Sequence, residues 1–320
     1  MKNLNLIGAC WCMSVLAARQ QNELLTSGEA DSLALDLQAS VFQGSALSRT
    51  ATQENGASDF QEKDSLGFFM PDEELQVKWT LAGGEWKPGQ TVNWKDKINE
   101  YTFCAYYPYS ESAVSRAAIP MPDLGTQTGK LADIGAFDFL AARTTTSYGA
   151  NSGVVSFTGE AAFRHVYALV SVTVKKDLEK ENVTLDEMVF EGDGLFSRHT
   201  YRFGEEAEQD GMQAVGGSEK SRLAFSYEEP VAVESGGYTA VVLLNPAELE
   251  EALRFTIGYR RDGISYTAST TGMGNTFEGG KFYKYTLKLT KEGLKLVGNA
   301  IKDWDAQTMP DISVEETPVE

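Results

Sequence analysis

Short segments in which apolar residues recur at every second position are the feature of this sequence that most limits its fold. The first such segment has five of these residues: Leu33, Leu35, Leu37, Ala39 and Val41. A second has four: Leu75, Val77, Trp79 and Leu81. Because successive side chains of a strand point to opposite faces, this period predicts β-strands that each bury one face. Helical periodicity is scarce, so we predict an all-β protein.

Turn signals divide the chain into many short strands, a pattern that is typical of β-sandwiches. Asp262-Gly263 lies between two alternating runs and predicts a hairpin. The run Val166–Val174 is apolar on both faces, as expected for a strand in the middle of a sheet. The chain has 320 residues, enough for two domains of about 150 residues each. A charged stretch follows this run, so we predict domains at residues 30–178 and 179–304.

The N-terminus resembles a secretory signal. Lys2 precedes an apolar run of about a dozen residues that ends in Leu16-Ala17-Ala18, and polar residues begin abruptly at Arg19. We predict a signal peptide over residues 1–18, cleaved after Ala18; a buried N-terminal helix is the alternative. A lipoprotein would have a cysteine where Arg19 stands, and Cys10 has too little apolar sequence before it. Export is therefore predicted, and lipid attachment is left open.

The charge and the rare residue types exclude several functions. A net charge of −18 disfavours binding to nucleic acid or to anionic lipid. The chain has three cysteines and two histidines, too few for a zinc site or a Cys/His nucleophile, and removal of the signal peptide leaves Cys104 alone. His165 is interpreted as a core histidine. We predict no catalytic, cofactor-binding or metal-binding residue, and no cofactor.

Aromatic residues are concentrated between residues 79 and 109. This group could form a platform for stacking sugars, but the alternation directs several of them inward, and core packing is the favoured interpretation. Its members are Trp79, Trp86, Trp94, Tyr106, Tyr107 and Tyr109.

The same region resembles a known family. The stretch VKWTLAGGEWKPGQTVNWKDKINEYTFCAYYPYS, the strand AFRHVYALVSVTVKK, the hairpin FYKYTLKLTKEGLKL and the terminal IKDW resemble, in this order, the fimbrillins that form Bacteroides-type (type V) pili. The resemblance covers most of residues 30–304. It implies two tandem transthyretin-like β-sandwich domains and a non-enzymatic subunit of a cell-surface, outer-membrane-associated fimbria.

The resemblance also implies assembly by strand exchange. A trypsin-like protease cuts after an arginine in the loop behind the first strand, that strand leaves, and a strand of a neighbouring subunit replaces it. Here the removable strand is Leu33–Val41, and Arg49 is the predicted cleavage site because no other Lys or Arg lies between Arg19 and Lys63.

The candidate donor is the tail of residues 305–320, in which Ile312 and Val314 alternate. Pro310 and Pro318 limit it to a short ladder, so a subunit at the pilus tip is an alternative to a stalk subunit. The expected partners are other subunits in a head-to-tail polymer, the protease, and a receptor or glycan on a host or bacterial surface. The alternative function is a surface protein that binds a glycan or a protein without polymerising.

Overall fold

The computed structural model of the protein describes residues 33–42, 59–177, 181–216 and 220–304. Several predicted features lie outside these residues: the signal peptide with Cys10, Ala18 and Arg19, the cleavage site Arg49, and the tail with Ile312 and Val314.

The described chain is built almost entirely of short strands, which confirms the all-β prediction. In chain order they are β1 (Asp36–Ala39), β2 (Ser65–Phe69), β3 (Gln76–Ala82), β4 (Glu85–Pro88), β5 (Glu100–Tyr107), β6 (Ile119–Pro120), β7 (Leu140–Ser147), β8 (Val154–Phe157), β9 (Arg164–His165), β10 (Ala168–Lys176), β11 (Val183–Phe196), β12 (His199–Arg202), β13 (Gly211–Ala214), β14 (Lys220–Ala232), β15 (Tyr238–Leu244), β16 (Ala247–Glu248), β17 (Arg254–Arg261), β18 (Ile264–Thr270), β19 (Thr276–Phe277), β20 (Lys281–Thr290) and β21 (Gly293–Asp303). The described helices are all short 3₁₀ segments: Leu124–Thr126, Leu131–Ala136, Tyr148–Ala150, Gly159–Ala161 and Ala207–Gln209.

Three larger sheets carry the fold. A six-stranded sheet has the order β4-β3-β2-β5-β7-β9 and comes entirely from the first half of the chain. Two four-stranded sheets, β15-β10-β20-β21 and β14-β11-β17-β18, come mainly from the second half. The strand pairs β1-β8 and β16-β19 and the three-stranded β13-β12-β6 complete the described sheets.

The buried apolar residues form two clusters, and the six-stranded sheet contributes to both. Its Phe68 and Phe103 belong to the cluster that also contains β1, which we call the N-terminal core. Phe69 and Tyr106, on the opposite face, belong to the larger cluster between the four-stranded sheets, the C-terminal core. Because strand side chains alternate between faces, a sheet that is apolar at consecutive positions packs on both sides.

The valine-rich strand β10 lies in the middle of its sheet, as its two-sided apolar pattern predicts. It pairs with β15 antiparallel and with β20 in parallel, and both partners follow residue 178. A domain boundary after residue 178 would therefore separate β10 from both of its neighbours. The division into two domains stays a prediction, and this pairing favours a boundary before Ala168.

Two local expectations had different outcomes. The hairpin at Asp262-Gly263 is confirmed: β17 and β18 pair from Phe255↔Thr270 to Arg261↔Ile264, and both turn residues have positive φ, 51° and 83°. The placement of Leu75 on the buried face of its strand is wrong. Leu75 is 71% exposed because the strand begins one residue later, at Gln76.

Candidate functional site

The first strand inserts its alternating side chains into the N-terminal core. Leu35, Leu37 and Val41 are buried, while Leu33 and Ala39 are partly buried and pack against the same cluster. The intervening Asp36 and Gln38 are exposed. This arrangement is the one that a period of two dictates for a strand with one face on a core and the other in solvent.

Backbone hydrogen bonds hold the strand along one edge. β1 runs parallel to β8 in the register Asp36↔Val154 to Ala39↔Phe157. At its end, the Phe42 amide donates to the Phe163 carbonyl at 2.7 Å, and the Phe163 amide donates to the Ser40 carbonyl at 2.9 Å. The N-terminal end also reaches the other side, where the Leu35 amide donates to the Val92 carbonyl at 3.0 Å.

The opposite edge of β1 faces a groove. Within the described residues, no strand other than β8 pairs with Asp36–Ala39. Beyond the unpaired edge, a groove of about 770 Å³ separates β1 from β4, the edge strand of the six-stranded sheet. Phe60 and Trp86 line this groove, and their rings meet edge to face with centroids 5.2 Å apart. Among the residues that the structure describes, the centre of β1 is therefore bonded on one side only.

Packing in the two cores accounts for most of the aromatic group. Trp79, Trp86, Trp94 and Tyr106 are buried, and the indole of Trp94 donates to the Gly153 carbonyl at 2.7 Å. Tyr107 and Tyr109 are half-buried. The core interpretation is confirmed for these four rings, because each has at most 8% of its surface exposed.

Phe42, at the end of the first described segment, is anchored by a neighbouring side chain. The guanidinium of Arg164 lies 3.7 Å from the ring centroid of Phe42, the last described residue before residue 59.

Beside Arg164, His165 is buried, and its Nδ1 lies 2.8 Å from Asp138 Oδ2. The interpretation of His165 as a core histidine is confirmed, because its ring is buried and lies against the side chain of Asp138.

Burial shifts the pKa values of Cys104 and His199 away from their usual values. Burial raises the pKa of the Cys104 thiol to about 11, which keeps it protonated, and a protonated thiol is a poor nucleophile. Burial lowers the pKa of His199 to about 4.

Among the described residues, no cluster of three or more His, Cys, Asp or Glu side chains is arranged to hold a metal ion. None of the described helices has the length and apolar character needed to cross a bilayer.

Two features of this region were missed from the sequence. One is the parallel partner β8, whose four residues carry a weak alternating signal. The other is a largely buried ion pair between β7 and the turn before β13, in which Arg143 Nη2 lies 2.6 Å from Asp210 Oδ1 and Nε lies 2.9 Å from Oδ2. A lone arginine in a strand of threonines and alanines was the available signal for this pair.

The geometry defines an all-β protein in which a short edge strand near the N-terminus completes a hydrophobic core. The fold resembles that of a proposed cell adhesion protein from Bacteroides uniformis, with a TM-score of 0.58, 17% identity, and 86% of this chain and 99% of that one covered. A second such protein, from Bacteroides ovatus, matches with a TM-score of 0.58 and 18% identity, and the match covers 85% of this chain and 98% of that one. A search of curated proteins returns no match.

A sequence profile described as fimbrillin-like matches residues 49–304, and the chain therefore belongs to the fimbrillin-like family. Membership supports the role of a fimbrial subunit, with other fimbrial subunits as its partners, and indicates an exported protein of the cell surface. The match begins at the residue that was predicted as the cleavage site, and it ends at Trp304.

Proposed function

We propose that this protein is a structural subunit, stalk or tip, of an outer-membrane-associated adhesive fimbria that assembles by exchange of its first strand. The observation that carries the proposal is the position of β1. It fills the N-terminal core with Leu35, Leu37 and Val41, yet in the described part of the chain only β8 pairs with Asp36–Ala39. An edge strand of this kind can leave without breaking a continuous sheet.

The free energy that β1 contributes by burying its side chains is of a size that a replacement strand could supply. Burial of a large apolar side chain contributes about 1.5–3 kcal/mol, so the three fully buried residues contribute roughly 5–9 kcal/mol. The loss of β1 exposes apolar sites of this value together with the unpaired edge of β8. A strand with the same alternation from another subunit would bury these apolar sites again and pair with the edge of β8. Such an exchange is β-strand addition used for polymerisation.

The sequence supplies a trigger for the exchange. Arg49 lies between Phe42 and Asp59, in the segment that follows β1, and it is the only basic residue from Gln20 to Glu62. A trypsin-like protease that cuts after Arg49 would free β1 from the rest of the chain. The proposed donor is the tail of residues 305–320, in which Ile312 and Val314 would occupy alternate sites of the vacated slot.

Limited proteolysis tests this proposal. Residues 20–320, without the predicted signal peptide, are treated with a low dose of trypsin, and the new N-terminus is sequenced. We expect Thr50 as the first residue, and concentration-dependent ladders on native gels after the cut. The variant Arg49→Gln should remain uncut and monomeric, whereas Lys63→Gln, at the next basic residue, should behave as the parent.

Cleavage elsewhere, or a trimmed chain that stays monomeric at every concentration, contradicts the proposal. The second of these results favours the alternative in which the same architecture binds a surface glycan or a protein without polymerising.

A further inference from the structure

The outer face of the sheet β15-β10-β20-β21 is basic, although the chain as a whole carries a net charge of −18. Residues in register on neighbouring strands point to the same side of a sheet. Lys175, Lys288 and Lys295 form one row in this way. Lys284 lies on β20, four residues before Lys288, and Lys302 lies on β21 in register with Phe282. Both side chains therefore belong to the same side of the sheet as this row. We call these five residues the lysine face.

Few carboxylates offset this charge. No Asp or Glu occupies a position of the lysine face on the four strands. At its rim, Lys288 Nζ lies 3.0 Å from Asp177 Oδ1, and Lys295 Nζ lies 3.9 Å from Glu292 Oε2. Lys302 is buried, with 7% of its surface exposed, and does not count toward the surface charge. The four other lysines less these two carboxylates leave a net charge of +2 on one sheet face of a strongly acidic protein.

Lys284 and Lys302 both lie beside the ring of Phe282. The Nζ atoms of both residues lie 5.3 Å from the ring centroid of Phe282.

A depression of about 420 Å³ next to Lys284 offers further hydrogen-bond donors. Thr173, Thr239 and Thr286 line it with hydroxyl groups, and Val241 and Phe282 provide an apolar floor. The hydroxyls of Thr173 and Thr239 are 2.8 Å apart, so one of them donates to the other and the second O–H is left to donate outward. This combination of an ammonium group, hydroxyl donors and an apolar floor suits a carboxylate on a short apolar stem.

The chain contains a segment of complementary charge directly beyond this sheet. Residues 305–320 have five acidic side chains (Asp305, Asp311, Glu315, Glu316 and Glu320) and no Lys, Arg or His. The segment follows Trp304, two residues after Lys302. The face extends seven residues along β21 from Lys302 to Lys295, or about 23 Å, and sixteen extended residues reach about 50 Å.

We propose that residues 305–320 bind across the lysine face of their own chain, with glutamate or aspartate carboxylates on Lys284 and Lys175 and at the hydroxyls of the depression. Covalent linkage through Trp304 gives the segment a high effective concentration at this face, so weak ion pairs suffice. The interaction does not depend on strand exchange. It has a consequence for assembly, because a tail held on the lysine face is not available as a donor.

Carbodiimide cross-linking of the full chain tests the proposal, since this reagent joins carboxylates to amines that are in contact. We expect tryptic peptides that link residues 305–320 to Lys175 or Lys284, found in the monomer band. Lys78 and Lys87, on the six-stranded sheet, serve as control amines. The links should disappear in 1 M salt, where the screening length falls to about 3 Å.

A second measurement does not alter the fold. The acylation rate of Lys284 is compared between the parent and the triple variant Asp311→Asn, Glu315→Gln, Glu316→Gln, which changes only the tail. A tail present at ten times its dissociation constant protects the amine roughly tenfold, and the variant should lose that protection while Lys78 and Lys87 keep their rates. Equal rates of Lys284 in both proteins overturn the proposal. So do cross-links that favour the control amines, or links that occur only between two chains.

Discussion

The indole of Trp304 stacks on the imidazole of His165, with ring centroids 3.7 Å apart and ring planes inclined by 5°. His165 belongs to β9, at the edge of the six-stranded sheet, whereas Trp304 follows the last strand of the opposite half. Both rings are buried, and the amide of Trp304 donates to the Gly280 carbonyl at 2.7 Å. This contact holds the end of the described chain against the edge of the six-stranded sheet.

The substitution Trp304→Ala should destabilise the protein by about 3–5 kcal/mol, because it removes a buried indole and leaves a cavity beside His165. Chemical denaturation followed by circular dichroism measures this change. Ile98→Ala is the control, since Ile98 is 87% exposed and its truncation should alter stability by less than about 0.5 kcal/mol. A Trp304 variant as stable as the Ile98 variant would show that the stack contributes no packing energy.

Arg143 holds the turn before β13 against the six-stranded sheet. Besides its two bonds to Asp210, it donates from Nη2 to the Gly204 carbonyl at 2.8 Å, and its side chain is 16% exposed. Arg143→Ala leaves Asp210 as an uncompensated, largely buried carboxylate, so we expect a loss of about 3 kcal/mol in the free energy of unfolding.

The matched comparison for Arg143 is Arg222→Ala, which breaks the more exposed pair with Glu187. That substitution should change the free energy of unfolding by less than about 1 kcal/mol. Equal effects of the two substitutions, measured by urea unfolding, would be inconsistent with the role that we assign to Arg143.

His199 predicts a specific dependence of stability on pH. Burial lowers its pKa in the folded protein to about 4, below the value of 6.5 for an exposed histidine. Between these pH values the unfolded chain binds the proton more tightly than the folded chain does. This contribution to stability is therefore complete above pH 6.5 and is lost as the pH falls towards 4, to a total of about 3 kcal/mol.

Replacement of His199 by phenylalanine removes the titrating group and retains a ring between Tyr167 and Phe196. The free energy of unfolding of His199→Phe should fall by about 2–3 kcal/mol less than that of the parent between pH 7 and pH 4.5. Parallel curves for the two proteins would contradict the assignment of this pH dependence to His199.

The alternation of the sequence predicted what is local in this structure. The period of two over Leu33–Val41 predicted a strand and its buried face, and Asp262-Gly263 predicted a tight turn, because both signals arise from neighbouring residues. A strand boundary is less well determined. Leu75 continues the alternating pattern of β3 but lies one residue before the pairing starts.

The sequence did not predict which distant strands pair with each other. Nothing in residues 36–39 indicates that they run parallel to Val154–Phe157, since the partner is chosen by the space that the assembled core leaves. The same holds for β10, whose apolar pattern predicts a central strand but not which half of the chain supplies its neighbours. The open groove beside β1 is likewise a product of tertiary packing, and no residue type marks it in the sequence.

A disulfide lock on the first strand tests the central claim most directly. Gln38 and Ser156 face each other across β1 and β8, at a strand spacing of about 4.8 Å that a disulfide can span. Residues 20–320 with Gln38→Cys and Ser156→Cys are cut with trypsin in oxidised and in reduced form, and polymers are counted on native gels. Gln38→Cys alone is the control for the effect of the new thiol.

If the first strand must leave before another subunit can dock, the oxidised protein remains monomeric after cleavage, whereas the reduced protein and the single variant form ladders. Ladders of equal length from the oxidised and reduced proteins would show that assembly proceeds with the first strand in place, which contradicts the account.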